Sequence, residues 1–245
     1  MSTKVTLKEA VRHAAWRFGL QRHIDWVRRK RGRDIRVHSL PTLRERFDYI
    51  YDHSLWTPDD PRTPLSGSGS SLKATTVLRT ELPRLLDSVN AASILDVGCG
   101  DFTWMSEIDL RQRYMGVDVV ESIIKENQRR YPDRSFACID ATVEKLPDAD
   151  VVVCREVLFH LSFTDARLLL ANVVRSSAGY LLMTSDRSTA LNADIVSGDF
   201  RPLNLQRRPF RFPAPIATIN DAHVQPGRFL GLWSIVDIAD EMQLV

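Results

Sequence analysis

The chain has 245 residues, of which 44% are hydrophobic and 26% are charged, and it contains three cysteines. This composition is typical of a soluble globular protein and excludes a disordered, collagen-like or coiled-coil chain. Three cysteines without a paired C-x-x-C spacing form neither a disulfide framework nor a zinc site, which favours a reducing compartment. No apolar run reaches the length of a membrane span, and charges interrupt the first segment where a signal peptide is apolar. A cytoplasmic location is therefore expected.

Positive charge is concentrated at the start of the chain. Residues 1–38 carry eleven Lys and Arg against three acidic residues, a net charge of +8, whereas the whole chain carries only +2. Apolar residues at near-helical spacing in this segment predict a basic amphipathic helix, and they are Val11, Ala15, Phe18, Leu20, Ile24 and Val27. Two interpretations stay open: a solvated helix that packs its apolar stripe on a catalytic domain, or a peripheral contact with an anionic membrane surface or a phosphorylated acceptor. We expect residues 1–45 to form a helical extension and residues 46–245 the catalytic domain.

Predicted elements follow the extension in chain order. Residues 41–53 predict a helix that begins near Pro41. Residues 57–71 are rich in Pro, Gly and Ser, which is typical of a linker or of a turn whose backbone N–H groups approach a ligand, with serines that cap a helical pattern over 71–89. Beyond this point strands alternate with helices, which predicts a mostly parallel sheet covered on both faces. The predicted strands are 93–97, 114–119, 135–140, 149–154, 179–185, 215–219 and 228–236, and the predicted helices are 120–130, part of 155–160, and 163–176.

The most informative motif closes the first of these strands. It reads Leu95-Asp96-Val97-Gly98-Cys99-Gly100-Asp101, so an acid ends a buried strand and two glycines follow. In an open parallel sheet, ligands bind at the carboxyl ends of the strands, and glycines there permit a tight turn and close backbone approach. Asp118 ends the second strand and Asp140 the third, where acids can meet ribose hydroxyls and an adenine amino group.

The same motif argues against a nicotinamide-binding oxidoreductase, which remains an alternative. The dinucleotide fingerprint has a third glycine at the position of Thr103. Asp96 would repel a diphosphate, but it suits a cationic ligand such as a sulfonium amino acid.

The order of these acids and glycines resembles the class I S-adenosylmethionine-dependent methyltransferases. The resemblance implies a Rossmann-like α/β fold with a mostly parallel seven-stranded sheet, helices on both faces, and S-adenosyl-L-methionine as the cofactor. Cys99 is expected to be a small turn residue of the motif and not a nucleophile, because methyl transfer from a sulfonium needs no covalent enzyme intermediate. The cofactor-binding residues implied are Ser68, Gly69, Ser70, Asp96, Gly98, Cys99, Gly100, Asp118, Val119, Asp140, Ala141 and Arg155.

Four further blocks, 66–71, 98–104, 154–162 and 192–205, resemble one subgroup of these enzymes. The subgroup is linked to O-methylation of glycans and lipo-oligosaccharides, including the fucose of Nod factors, which are nodulation signals. This sequence departs from the subgroup pattern at Glu156, where the pattern has Asp, and at Phe200, where it has Trp. The resemblance implies a methyltransferase that acts on a sugar hydroxyl of a glycan or glycolipid acceptor.

Methylation of a hydroxyl requires a group that accepts its proton. Arg155, Glu156 and His160 directly follow the fourth predicted strand and are the candidate catalytic residues. Glu156 and His160 would share a face if this segment were helical, and histidine titrates near neutrality. Arg155 would either hold an anionic part of the acceptor or pair with a carboxylate.

A polar, irregular stretch supplies most candidates for acceptor binding. Asp194 and Asp199 could also join a divalent metal through oxygen ligands, but no compact metal signature is present and no metal site is predicted. The candidate acceptor-binding residues are Trp104, Asn192, Asp194, Asp199, Arg201 and Asn204.

Other acceptors remain possible, namely a small molecule, a protein or RNA. A binding module without catalytic activity is a further alternative. A nucleic-acid partner is disfavoured because no helix-turn-helix, zinc-finger or RNA-recognition signature is present. The fourth strand also lacks the Pro-Pro-aromatic block of amino-methylating nucleic-acid enzymes; that place reads Cys154-Arg155-Glu156-Val157.

Overall fold

The computed structural model describes residues 5–57 and 63–242. Lys4 of the predicted basic extension and residues 58–62 of the predicted turn-rich segment lie outside the described residues. The strands are β1 (Ser93–Val97), β2 (Arg113–Asp118), β3 (Ser135–Cys138), β4 (Val151–Cys154), β5 (Tyr180–Asp186), β6 (Ala217–Asn220) and β7 (Arg228–Ser234). The α-helices are α1 (Leu7–Arg17), α2 (Gln21–Lys30), α3 (Leu43–Asp52), α4 (Thr76–Ser88), α5 (Glu121–Arg130), α6 (Phe163–Val174) and α7 (Ile235–Met242).

The strands form one sheet in the order β3-β2-β1-β4-β5-β7-β6. β1 to β5 pair in parallel, as predicted, whereas β7 runs antiparallel to both β5 and β6, so the sheet is mixed. The strand order reverses between β1 and β4, which lie side by side. At such a switch point the connections leave in opposite directions and open a crevice beyond the carboxyl ends of the strands.

Side chains of the central strands alternate between two apolar layers, as the pleat of a strand requires. Leu95 of β1 belongs to a cluster that includes residues of α3, α6 and α7, whereas its neighbour Ile94 belongs to a second cluster with residues of α4. The all-apolar β4, Val151–Cys154, is fully buried because helices cover it on both sides. These layers fix the ends of β1 and β4 rigidly.

Three predicted elements differ from the structure. The helix expected from residue 71 begins only at Thr76, because Ser71 to Thr75 form turns, and α4 has no side-chain cap. The strand expected over 228–236 ends at Ser234, and the following residues form the unpredicted helix α7. The single amphipathic helix expected near the start is two helices, broken at Gly19, which adopts φ +65°.

The extension attaches to the catalytic part through polar contacts rather than through the predicted apolar stripe. Of that stripe, Ala15 is buried, but the Val11 and Phe18 side chains are 58% and 72% exposed. The polar contacts are a hydrogen bond from the Ala190 backbone N–H to Glu9 (3.0 Å), one between the His13 ring and the Asn192 carbonyl (3.3 Å), and an ion pair of Arg28 with Asp199 (2.7 Å). The expected stripe is packed only in part, because Ala15 is buried and Ile24 and Val27 are half-buried, whereas Val11 and Phe18 are exposed.

Within the described ranges, no helix is both long and apolar enough to cross a membrane.

Candidate active site

A cavity lies beyond the carboxyl ends of β1, β2 and β4, at the switch point of the sheet. The structure brings thirteen of the predicted site residues to its wall: Ser70, Asp96, Gly98, Cys99, Gly100, Trp104, Asp118, Val119, Asp140, Ala141, Arg155, Glu156 and His160. Ser68 and Gly69 lie in the adjoining turn without lining the cavity, although the Gly69 carbonyl accepts a hydrogen bond from Arg155 (3.0 Å).

The two glycines after β1 are required by their conformation and by their neighbours. Gly98 and Gly100 adopt φ +72° and +54°, a region that favours glycine. A Cβ at Gly98 would lie 2.3 Å from Cγ2 of Val157, and a Cβ at Gly100 would lie 2.1 Å from Oγ of Ser66. The turn is thus packed between two other segments, and its backbone forms the floor of the cavity.

Asp96 is buried at the base of the cavity. Its carboxylate accepts a hydrogen bond from the Tyr114 hydroxyl (2.9 Å). Burial raises the pKa of Asp96 to about 7, against the effects of this hydrogen bond and of the Arg155 charge. A cationic ligand in the cavity would favour the ionised form.

Asp118 and Asp140 stand at the ends of β2 and β3. Asp118 accepts hydrogen bonds from the backbone N–H groups of Gly100 (3.0 Å) and Val120 (3.1 Å), which fix its orientation. One oxygen of Asp140 accepts from the Thr142 backbone N–H (2.9 Å) and hydroxyl (2.6 Å). Both carboxylates are held at the rim of the same cavity and offer oxygen acceptors to a ligand.

Arg155 forms a buried, bidentate pair with Asp221. Its Nε and Nη2 donate to the two oxygens of Asp221 at 3.1 and 3.0 Å, and its guanidinium lies 5.4 Å from the Trp104 ring. Of the alternatives for Arg155, the structure shows the pairing with a carboxylate. A guanidinium stays protonated, so Arg155 does not act as a proton acceptor. Its hydrogen bonds connect the end of β4 to the turn at Gly69 and to Asp221, which follows β6.

Glu156 does not share a helical face with His160, contrary to the sequence prediction. It adopts a left-handed conformation (φ +67°) just before a short 3-10 helix, Val157–His160. Its carboxylate forms an ion pair with the buried Arg228. The spacing argument failed because the chain turns sharply at Glu156, and the carboxylate already has a cationic partner.

His160 has the hydrogen bonding of a proton acceptor. Its Nδ1 lies 3.1 Å from the backbone carbonyl oxygen of Asp199. A carbonyl only accepts, so Nδ1 carries the ring proton and Nε2 keeps its lone pair. Burial lowers the pKa of His160 from its ordinary 6.5, partly offset by the Glu156 carboxylate. The ring is therefore neutral at neutral pH.

Aromatic residues surround His160, and sequence reasoning missed most of them. The rings of Trp56 and Phe200 lie 4.8 and 5.3 Å from the His160 ring, centroid to centroid. Tyr51 packs edge-on against Trp56 (5.4 Å), and its hydroxyl lies 3.1 Å from Oγ of Ser66. No motif marks Tyr51 and Trp56, because they come from the end of α3 and the turn after it; only the fold brings them to the cavity.

The predicted acceptor-binding residues of the late block lie outside the cavity wall, where they brace the loop. Asn192 donates to the carbonyls of Asn204 and Arg208 (both 2.8 Å), and Asn204 donates to that of Thr189 (3.1 Å). Asp194 accepts from two backbone N–H groups, those of Phe163 (2.7 Å) and Ile195 (2.8 Å).

Arg201 and Asp199 connect this loop to other segments. Arg201 is 1% exposed and donates to the carbonyls of Ala193 (3.1 Å) and Leu161 (2.6 Å). Asp199 pairs with Arg28, and Asp194 is bound by backbone N–H groups, so the structure does not join the two in a metal site. Among the described residues no group of three or more His, Cys, Asp or Glu side chains is arranged to hold a metal ion.

Cys99 lies within the turn as expected of a small buried residue. Its thiol contacts the Gly100 carbonyl (3.7 Å), and burial raises its pKa well above the ordinary value. The thiol is therefore protonated and unsuited to nucleophilic attack.

Residues 95–183, which span the motif turn, β2 to β4 and most of β5, match the family model of a methyltransferase domain. This match supports S-adenosylmethionine-dependent methyltransferase activity. The cofactor is S-adenosyl-L-methionine. A comparison with curated proteins found no match.

Solved structures of several methyltransferases are similar to this one. The methyltransferase domain of bacterial CtHen1 is 14% identical, with 66% of this chain and 99% of that chain covered and a TM-score of 0.49. The N-methyltransferase NodS of Bradyrhizobium japonicum WM9, in complex with S-adenosylhomocysteine, is 24% identical over 57% of this chain and 72% of that one, with a TM-score of 0.45. Magnesium protoporphyrin IX methyltransferase of Synechocystis PCC 6803 is 15% identical over 59% and 70%, with a TM-score of 0.46.

The cavity of the methyltransferase fits its cofactor chemically. Gly98 and Gly100 present backbone atoms to the cavity. Asp96 lines the cavity as a carboxylate, which suits a ligand that carries positive charge, and Arg155 lines it as a cation that is paired with Asp221. Asp118 offers acceptor oxygens at the rim of the same cavity.

Proposed function

We propose that the methyltransferase methylates a sugar hydroxyl of a glycan or lipo-oligosaccharide, with His160 as the general base. The observation that carries the proposal is the fixed tautomer of His160, whose Nδ1 donates to the Asp199 carbonyl and whose Nε2 is a free acceptor. An amine or thiol acceptor can lose its proton to water, whereas a neutral hydroxyl is a poor nucleophile and needs a base in the site.

S-adenosylmethionine supplies an electrophilic methyl group. Asp96 and Arg155 hold the charged ends of its amino-acid part, Asp118 holds the ribose hydroxyls, and Asp140 and Ala141 border the adenine. These assignments rest on the position of each residue at a strand end along one cavity. Their combined effect is to hold the donor in one orientation, which supplies much of the rate of an in-line displacement.

His160 accepts the hydroxyl proton at Nε2 as the oxygen attacks. The resulting imidazolium is stabilised by the Asp199 carbonyl at Nδ1 and by the Glu156 carboxylate, whose charge acts on the ring. Glu156 itself stays paired with Arg228 and has a supporting electrostatic role. Trp56 and Phe200 pack against the His160 ring and help to hold it in place.

The aromatic rings support a sugar as the acceptor. Trp56, which lines the cavity, has a flat apolar ring 4.8 Å from the His160 ring, and the C–H face of a pyranose packs on such a surface by dispersion. A base beside an apolar aromatic ring suits a sugar, whose hydroxyl groups alternate with apolar C–H groups.

A labelling survey tests the acceptor class. The purified protein is incubated with methyl-labelled S-adenosylmethionine and a fractionated cell extract. We expect label in an amphiphilic glycan fraction that resists nuclease and protease. Label that protease or nuclease releases would contradict a sugar acceptor and leave the cofactor site unaffected.

A further inference from the structure

Exposed apolar side chains are concentrated on the N-terminal extension. Of the fourteen large apolar side chains exposed in the described residues, seven lie between residues 5 and 26. They are Val5 (52% exposed), Leu7 (81%), Val11 (58%), Trp16 (37%), Phe18 (72%), Leu20 (51%) and Trp26 (55%). A concentration of this kind on a monomer marks an interaction surface, since isolated exposed side chains would be spread over the whole molecule.

Three of these side chains share one face of α1. Leu7, Val11 and Phe18, the last of which directly follows α1, are spaced i, i+4 and i+11, positions that recur on the same side of a helix. Ala15 lies one turn after Val11 at the flank of this face and is buried at 7% exposure. The small residue is thus covered, whereas the large apolar residues of this face are exposed to solvent, unlike those of a helix that packs its apolar stripe on a domain.

Basic residues accompany this apolar face, and the acids of the extension have partners within the protein. Glu9 accepts from the Ala190 backbone, Asp25 pairs with Arg28 and His38, and Asp34 pairs with Arg36. The outward charge is therefore positive. Besides Arg36, which pairs with Asp34, the exposed Lys and Arg residues described in the extension are Arg17, Arg29, Lys30, Arg31 and Arg33.

We propose that this surface docks the enzyme on an anionic lipid membrane. The surface, called here the basic apolar face, consists of Leu7, Val11, Phe18, Leu20 and Trp26 with Arg17, Arg29, Lys30, Arg31 and Arg33. Interfacial helices combine these features: Leu, Phe and Trp enter the boundary between headgroups and acyl chains, and Lys and Arg attract anionic headgroups. Lys30 lies over the Trp26 ring, with Nζ 5.8 Å from the ring centroid. A lysine in this arrangement can pack its aliphatic chain on apolar surface while its charged end reaches the headgroups.

Charge decides against the other occupants of the surface. A second copy of the chain, related by a two-fold axis, would place five cations opposite the same five cations. A nucleic acid would use the cations but would leave Leu7, Val11 and Phe18 in water. An anionic bilayer satisfies both the positive charge and the apolar side chains.

Vesicle sedimentation with the whole 245-residue chain tests this proposal without any acceptor, so its outcome is independent of the proposed function. We expect the protein to bind vesicles of equal parts phosphatidylcholine and phosphatidylglycerol much more tightly than vesicles of phosphatidylcholine alone. Binding should weaken about fivefold for each cation removed near the surface, and with added salt. The variant Arg29→Gln/Arg31→Gln/Arg33→Gln should therefore bind about a hundredfold more weakly.

A second variant tests the apolar part. Leu7→Ser/Val11→Ser/Phe18→Ser should lose at least tenfold in vesicle binding, whereas the matched control Val143→Ser/Val236→Ser, at residues 71% and 67% exposed elsewhere, should bind like the wild type. All replaced side chains are exposed, so circular dichroism should show each variant folded. Equal binding to both vesicle types, no binding to either, or unchanged binding of the Leu7 variant would overturn the proposal. The proposal would also be overturned if light scattering showed a wild-type dimer that the variant Leu7→Ser/Val11→Ser/Phe18→Ser converts to a monomer.

Discussion

His160 is the residue on which the proposed chemistry depends. Replacement by glutamine keeps a polar side chain of similar reach but removes the base, so the rate constant kcat should fall about 10²–10⁴-fold. The dissociation constant of S-adenosylmethionine, measured by calorimetry, should change far less than kcat, because the proposed role of His160 is toward the acceptor and not toward the cofactor. His53→Gln, at an exposed position after α3, is the matched control and should keep full activity. A His160→Gln enzyme with wild-type kcat would remove His160 from the mechanism.

The pH dependence of kcat provides a second test of the same residue. Burial lowers the pKa of His160, and only the neutral ring accepts a proton, so kcat at saturating cofactor should rise with pH along a limb centred below the ordinary histidine pKa of 6.5. The ascending limb should disappear in His160→Gln. A limb centred above pH 7 would assign the proton transfer to another group.

Asp96 links cofactor affinity to pH. Its pKa of about 7 means that it carries a proton below this pH, and the neutral acid attracts the cationic cofactor less. The affinity for S-adenosylmethionine should therefore increase as pH rises through 7. In Asp96→Asn the affinity should be lower by roughly 10–100-fold at pH 8, the effect of one charged hydrogen bond, and independent of pH. Calorimetric titration at pH 6 and pH 8 measures both the affinity of the variant and its dependence on pH. The substitution Asp133→Asn, at an exposed residue, serves as the control.

At the scale of elements, the turn after β1 depends on close packing against the segment after β4. Gly98→Ala places a methyl group 2.3 Å from Val157 and forces alanine to φ +72°, so the free energy of unfolding should fall by about 2–4 kcal/mol. The double variant Gly98→Ala/Val157→Ala relieves the collision but keeps the backbone strain, so it should recover part of the loss. Urea unfolding distinguishes the two contributions; full recovery would show that the backbone conformation costs nothing.

The extension reaches the catalytic base through one chain of contacts. Arg28 of α2 pairs with the Asp199 carboxylate, and the Asp199 carbonyl orients His160. Arg28→Gln should loosen this loop and lower kcat about fivefold, the equivalent of about 1 kcal/mol, without changing the cofactor dissociation constant. Arg28→Lys should restore part of the activity, and Arg29→Gln, at the exposed neighbour, should have no effect. Equal losses in both glutamine variants would point to a general effect of charge.

The strand and helix pattern of the central part was predictable, because buried parallel strands and amphipathic helices have strong periodic signals. The polar block after β5 was not. Asn192, Asp194 and Asn204 are as suitable for binding a ligand as for satisfying the backbone groups of an irregular buried loop, and sequence alone does not distinguish these uses. The expectation that Glu156 and His160 share a helical face failed for a related reason. Helical spacing does not bring two side chains to one face when one of the residues adopts a left-handed conformation, as Glu156 does.

For the whole molecule, the meeting of the strand-end acids and glycines at one cavity was predictable, because the carboxyl ends of neighbouring parallel strands lie together at the switch point of the sheet. The aromatic wall was not, since Trp56 and Phe200 meet His160 only after α3 and the late loop fold over the sheet. Likewise, the periodicity of the extension indicated an apolar stripe but not which way it faces. The fold places Ala15 inward and Phe18 outward because polar contacts, not the stripe, attach the extension.

The most direct test of the whole account is the chemical nature of the bond that the enzyme forms. The wild type and His160→Gln are incubated with S-adenosylmethionine carrying a ¹³C-labelled methyl group and with the glycan fraction, and the product is followed by carbon NMR. We expect a methyl ether signal on a sugar carbon for the wild type and no such signal for His160→Gln. Both proteins should bind the cofactor. A signal typical of a methylated nitrogen or sulfur, or an ether signal of equal size from both proteins, would contradict it.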